Sequence, residues 1–192
     1  MDFGRLARET AKGGSPVSLL HLDFHPLNIA VLTISDTRDE ESDRSGALLV
    51  ERLTKAGHHC SDKDIVPDDV DAIRAWLQPW IDNSAIDLIV TTGGTGFSPR
   101  DVTPEAVRPL FRREMDGFSV LFHQVSYGTI GLSTLQSRAF AGQAGDTFIF
   151  CLSGSTGACK DGWDLVFGLE LDSRYRPCSL AGQVRRLRAI CA

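Results

Sequence analysis

The 192-residue sequence predicts one α/β domain built on a mostly parallel sheet, and three observations carry that expectation. Short, nearly continuous apolar runs rich in β-branched residues recur at 29–34, 86–92 and 148–152, as strands covered on both faces require. Segments with apolar residues at helical spacing alternate with them. The length suits one domain, and 42% hydrophobic residues suffice for a core.

The elements follow in order. The stretch before Leu27 reads as a loose tail, with Gly13-Gly14-Ser15-Pro16 ahead of a small apolar patch, Leu19-Leu20-His21-Leu22. Strand one ends at Ser35-Asp36, and a charged loop from Arg38 to Arg44 follows. Ser45 is placed to cap a helix over 46–56, whose Leu48, Leu49 and Leu53 recur at helical spacing and which Gly57 ends. A second strand at 58–66 is more polar, which suits a place near the sheet edge. Pro67-Asp68-Asp69 opens a helix carrying Val70, Ile73, Trp76, Leu77 and Trp80. Strand three closes on Gly93-Gly94, and Pro104 starts another helix where its missing N–H costs nothing. Residues 115–127 read as helical with Phe118, Leu121, Phe122 and Val125 inward. Strand four, at 148–152, leads through a Ser/Gly loop to a helix over 157–169. A basic last turn holds Arg185-Arg186-Leu187-Arg188.

Composition excludes several classes. With 25 acidic and 20 basic residues the net charge is −5, which argues against a nucleic-acid partner. The five cysteines (Cys60, Cys151, Cys159, Cys178, Cys191) are odd in number and form no C-x-x-C, so free thiols are expected rather than a disulfide scaffold or zinc site. No run is long enough to span a membrane and no signal peptide is evident, which makes the cytoplasm the expected compartment.

In a doubly wound sheet a ligand sits at the carboxyl ends of the strands, where strand order reverses. The chemically informative residues follow strands. Thr92-Gly93-Gly94-Thr95-Gly96 allows a tight turn that exposes N–H groups to an anion, and it is neither a P-loop nor a dinucleotide fingerprint. Asp68 and Asp101 follow separate strands. Carboxylates beside a phosphate site suit Mg²⁺, although either aspartate can equally serve as a helix cap. Ser153-Gly154-Ser155 precedes a helix and suits an anion or an ordinary cap. Ser137-Arg138 suits a phosphate or polar heterocycle, or else a surface ion pair. His58, His59 and His123 lack ligand spacing and read as structural or surface groups.

Taken together, Ser35-Asp36, Asp43-x-Ser45-Gly46, Ile65-Val66-Pro67-Asp68, Thr92 to Gly96, Arg100 to Ala106 and Ser137-Arg138 resemble the MoaB/Mog family of molybdenum-cofactor biosynthesis. Ser153 to Thr156, Ala158-Cys159 and Arg176-Pro177-Cys178 are most similar to its MoaB branch. The resemblance spans 24–180. It leaves 1–23 as an N-terminal extension and 181–192 as a basic helix or tail.

That resemblance implies a three-layer α/β/α fold of Rossmann-like topology and a molybdopterin adenylyltransferase. Such an enzyme transfers AMP from Mg-ATP to the terminal phosphate of molybdopterin, releases pyrophosphate and hands its product to a molybdate-inserting protein. It also implies a homotrimer or homohexamer. By motif match Asp68 and Asp101 take the catalytic and metal positions, Thr92 to Gly96 with Ser35, Asp36, Ser137 and Arg138 line the nucleotide and substrate site, and Ser153 to Thr156 form a loop on the pterin side. Arg100, Arg138 and Lys160 are placed to offset phosphate charge. Ser153 departs from the apolar or proline residue usual before this glycine. The rival reading is a silent molybdopterin-binding scaffold of the same fold; the presence of both aspartates favours the enzyme.

Overall fold

A computed structural model describes residues 23–184 and gives six strands in one mixed sheet of order β2-β1-β3-β6-β5-β4. The strands are β1 (Asn28–Ile34), β2 (His59–Val66), β3 (Leu88–Thr92), β4 (Arg113–Glu114), β5 (Phe140–Ala144) and β6 (Thr147–Leu152). The first three and β6 are mutually parallel, while β5 runs antiparallel to both β6 and β4. The helices are α1 (Arg44–Lys55), α2 (Val70–Asp82), α3 (Thr103–Val107), α4 (Asp116–Ile130) and α5 (Thr156–Asp161).

Successive side chains of β1 enter opposite layers, as the pleat requires. Ile29 and Val31 pack with Leu49 and Leu53 of α1, Phe118 and Phe122 of α4 and Phe150 of β6. Ala30, Leu32 and Ile34 pack with Ile73, Leu77 and Trp80 of α2 and Ala106 of α3. Both faces are therefore covered, and the three-layer expectation holds. Each fully buried leucine, isoleucine or phenylalanine here contributes about 1.5–3 kcal/mol from burial. Phe150 also stacks on Phe167 at 4.5 Å between ring centroids. Among the described residues no helix is long and apolar enough to cross a membrane.

The polar second strand does lie at the sheet edge, and its charges have partners. The Trp80 indole N–H donates to Asp62 at 3.1 Å, and Lys63 pairs with the buried Asp43 at 3.2 Å. The four cysteines among the described residues are free thiols. Burial pushes Cys151 up to about 12 and Cys159 up to about 11, so neither is a nucleophile near neutrality.

Several expectations need correction. Asp43, not Ser45, caps α1 by accepting from the Gly46 N–H at 2.9 Å; Ser45 already lies in the helix. Leu121 is exposed because α4 turns only Phe118, Phe122 and Ser126 fully inward. The helix expected over 157–169 is interrupted, since α5 passes into a wide π turn at Gly162–Phe167 and a 3₁₀ turn at Leu169–Leu171. At Gly168 a Cβ would lie 2.5 Å from the Trp163 carbonyl oxygen, so a glycine is required where that wide turn closes. Strand β5 is not expected from the sequence, because Ala, Gly and Gln are poor strand formers. It pairs with β6 through the turn at Gly145-Asp146, and the Phe111 ring occupies the space a side chain at Gly142 would need. The tail before Asp23 and the basic turn at 185–188 lie outside the described residues.

Candidate functional site

The order β2-β1-β3-β6 puts the carboxyl ends of four parallel strands on one edge, with the reversal of strand order between β1 and β3. The loop after β3 therefore leaves the sheet at the switch point. Gly93 has φ +114°, and a Cβ there would lie 2.1 Å from the Ile34 carbonyl oxygen. Its own carbonyl accepts from the Thr103 hydroxyl at 2.9 Å. A Cβ on Gly94 (φ +61°) would lie 2.7 Å from Asp68 Oδ1, and one on Gly96 would lie 2.8 Å from Asp101 Oδ2. Gly94 is required by its positive φ and by the Thr103 hydroxyl, 2.3 Å from a built Cβ, and the Asp68 and Asp101 carboxylates rest on the bare backbone of the same loop. The N–H groups of Gly94, Thr95 and Gly96 meet no acceptor among the described residues, which leaves them for water or an anion.

Both aspartates escape the capping role open to them in the sequence. Asp69 caps α2, and the residue before α3 is Val102, with no side-chain cap. Asp101 Oδ2 accepts from the Ser98 N–H at 2.7 Å. Asp36 is held by Arg100 through two hydrogen bonds of 2.7 and 2.8 Å, which lowers its carboxyl below the ordinary range; it also accepts the Asp68 N–H at 3.1 Å. Partial burial raises the Asp68 carboxyl, and the neighbouring charges of Asp36 and Asp101 raise it further. Negative charge is concentrated where Asp68 and Asp101 meet the loop.

This arrangement fits magnesium. No group of three or more His, Cys, Asp or Glu side chains that could hold a metal occurs among the described residues, so these alone do not form a complete cage. Magnesium typically uses one or two carboxylates and takes its remaining oxygens from phosphates and water. Asp101 and Asp68 are the residues that would hold it.

Arg138 is committed to the same loop. Its Nε donates to Gly96 O at 2.8 Å, Nη2 to Asp101 O at 2.7 Å and Nη1 to the Glu105 carboxylate. The guanidinium fork fastens both ends of the segment that carries Asp101. Ser137 accepts from the Ala139 N–H, and its carbonyl meets His123 Nε2 at 2.9 Å. Arg138→Ala strips these carbonyls of their donors. We expect a loss of about 1–3 kcal/mol in thermal unfolding, with less ordered 96–101 amides in hydrogen exchange.

The loop after β6 touches the loop after β3, since a Cβ on Gly154 would lie 3.3 Å from Gly93 Cα. The Thr92 hydroxyl is buried and donates to Ser153 O at 3.2 Å, and Ser155 caps α5. Gly154 O accepts from Arg38 Nη2 at 2.7 Å and from the Ser45 hydroxyl at 2.8 Å. Arg38 also donates to Ser45 Oγ at 3.0 Å, so it ties the loops after β1 and β6 together. It is a site residue that sequence reasoning passed over; its only signal was its place as the first basic residue of the charged loop. Ser35 accepts N–H bonds from Thr37 and Arg38 and shapes the turn that presents Asp36. Lys160 is exposed on α5. His58 and His123 are structural, with His58 accepting from Leu27 N–H and His123 lying between two carbonyls.

Comparison with known proteins shows which family the chain belongs to. Residues 30–172 match the family model described as a probable molybdopterin binding domain. The chain is 44% identical over 170 residues to molybdenum cofactor biosynthesis protein B of Escherichia coli K12, covering 88% of this chain and all of that one. A crystal structure of molybdenum cofactor biosynthesis protein B superposes with a TM-score of 0.79 at 36% identity, covering 88% and 99% of the two chains. The molybdopterin biosynthesis enzyme MoaB of Thermus thermophilus gives a TM-score of 0.70 at 29% identity, covering 85% and 97%.

Proposed function

The chain belongs to the molybdopterin-binding domain family of molybdenum cofactor biosynthesis proteins, and from that premise we propose that it adenylylates molybdopterin. The observation that carries this reading is the seating of Asp68 and Asp101 on Gly94 and Gly96 beside three backbone N–H groups that have no acceptor among the described residues. In the proposed reaction an oxygen of the terminal molybdopterin phosphate attacks the α-phosphorus of ATP. The bond from that phosphorus to the bridging oxygen breaks, pyrophosphate departs with the electron pair, and a phosphoanhydride forms. Such a transfer needs alignment and charge stabilisation rather than a protein nucleophile.

The residues divide this work. The Gly94, Thr95 and Gly96 N–H groups bind phosphate oxygens, and Arg138 holds their loop in place. Asp101 would be the principal ligand for magnesium and Asp68 a second or water-mediated one. Magnesium there would neutralise charge on the reacting phosphates. Ser153, Gly154 and Ser155 face the pterin side, with Arg38 and Ser45 fixing the Gly154 carbonyl. The product passes to a molybdate-inserting protein. A reaction that draws on ATP suits the cytoplasm, the compartment the sequence predicts. Pyrophosphate release from Mg-ATP that depends on added molybdopterin tests the assignment.

The oligomer belongs to the same reading. Val120, Leu121, Tyr127 and Ile130 of α4 are exposed together with Leu132 and Leu135 of the following 3₁₀ segment (Gly131–Gln136). So many large apolar side chains exposed on one helix and its continuation suit an interface. Further copies of this chain, in a trimer or hexamer, would cover it. Replacing Leu132 and Leu135 together with glutamate should lower the mass measured by light scattering to that of one chain. An unchanged mass would move the interface elsewhere.

A further inference from the structure

The proposed roles of the glycine loop and the aspartates concern phosphate and metal, yet both proposed substrates also carry a fused nitrogen heterocycle that contains a flat ring. We propose that Phe97 is the stacking platform for one of those heterocycles, an inference that rests on the adenylyltransferase reading. Among the described residues it is the one exposed phenylalanine, at 72%. It lies at the centre of the site loop. Gly96 before it underlies the Asp101 carboxylate, and Ser98 after it donates its N–H to that carboxylate. A substrate held at Asp101 is therefore within reach of the ring.

One side of the ring is already supported. Arg138 Cζ lies 5.4 Å from the ring centroid, and its guanidinium is fixed on Gly96, Asp101 and Glu105. A clamped cation over an aromatic ring restrains its orientation and is attracted to its face. The outer side stays open to solvent. A ring braced on one side and free on the other is suited to receive the flat ring of such a heterocycle by offset stacking. The loop has no other aromatic side chain, since the neighbouring positions are Gly94, Thr95, Gly96, Ser98, Pro99, Arg100 and Asp101.

Two ligand titrations on the intact protein decide which substrate is involved. One uses magnesium with α,β-methylene ATP, which cannot release pyrophosphate; the other uses molybdopterin under anaerobic conditions. Wild type, Phe97→Ala, Phe97→Leu and Phe97→Trp are compared, and the mass of each is measured by light scattering. Phe97→Ala and Phe97→Leu should weaken one ligand roughly ten-fold and leave the other within two-fold, in line with base–aromatic stacking. Phe97→Trp should restore that affinity and show indole quenching by the same ligand. The nucleotide arm assigns the platform to adenine, the other arm to the pterin.

Undiminished binding of both ligands to Phe97→Ala would overturn the proposal. Full affinity in Phe97→Leu would also do so, by reducing the contact to plain apolar burial. Equal weakening of both ligands would identify a damaged loop, and a changed mass would make Phe97 a contact between copies; either result overturns the platform. If wild type binds neither ligand, the adenylyltransferase reading fails as well.

Discussion

Asp101→Asn is expected to lower molybdopterin-dependent pyrophosphate release by roughly 10²–10³-fold, as loss of several kcal/mol of transition-state charge stabilisation implies. Its fold should persist, because an asparagine side-chain oxygen still accepts the Ser98 N–H. Asp68→Asn should be comparably inactive but differ in stability. Partial burial and the charges of Asp36 and Asp101 raise the Asp68 carboxyl, so its ionised form is disfavoured in the folded protein. A carboxyl with a raised folded pKa contributes stability that is present below its unfolded pKa and lost as pH rises through the folded one. Neutralising it should therefore leave the Tm at pH 7 unchanged or slightly higher, while activity falls. A Tm lowered by several degrees in Asp68→Asn would contradict the electrostatic account.

Gly93→Ala should produce the largest stability loss, about 3 kcal/mol in denaturant unfolding. An L side chain at φ +114° is strained, and its Cβ would overlap the Ile34 carbonyl oxygen at 2.1 Å. The atom it meets is backbone of β1, which cannot move without disturbing its pairing to β2 and β3. Gly117→Ala is the matched control, since that helical glycine has nothing within 4 Å of a built Cβ. It should be neutral or mildly stabilising. Equal effects of the two substitutions would show that the close approach does not matter.

Much of this was legible in the sequence for definite reasons. Buried parallel strands carry unbroken apolar runs, so β1, β3 and β6 could be read directly. The charges of Asp62, Lys63 and Asp64 marked β2 as the edge. Antiparallel β5 was not legible, because its Phe-Ala-Gly-Gln-Ala sequence is dictated by what lies against it, the Phe111 ring above Gly142. At the site, Gly93 to Gly96, Asp68 and Asp101 stood out by residue type and by position after strands. Their mutual arrangement did not. That Asp68, some two dozen residues upstream, rests on Gly94 is a consequence of strand order. Arg138 could be noticed as a basic residue near hydroxyls, but its three-point hold on the loop depends on tertiary contacts, as does the bridge Arg38 makes to Gly154.

The proposed chemistry has one direct test. The full-length protein is incubated anaerobically with molybdopterin and Mg-ATP, and pyrophosphate and adenylylated pterin are quantified together. The account predicts the two products in equal amounts, none without the pterin, and at most about one hundredth of the wild-type rate for Asp101→Asn. Molybdopterin that binds without any release of pyrophosphate would contradict it and make the chain a carrier of the pterin instead of the enzyme that activates it.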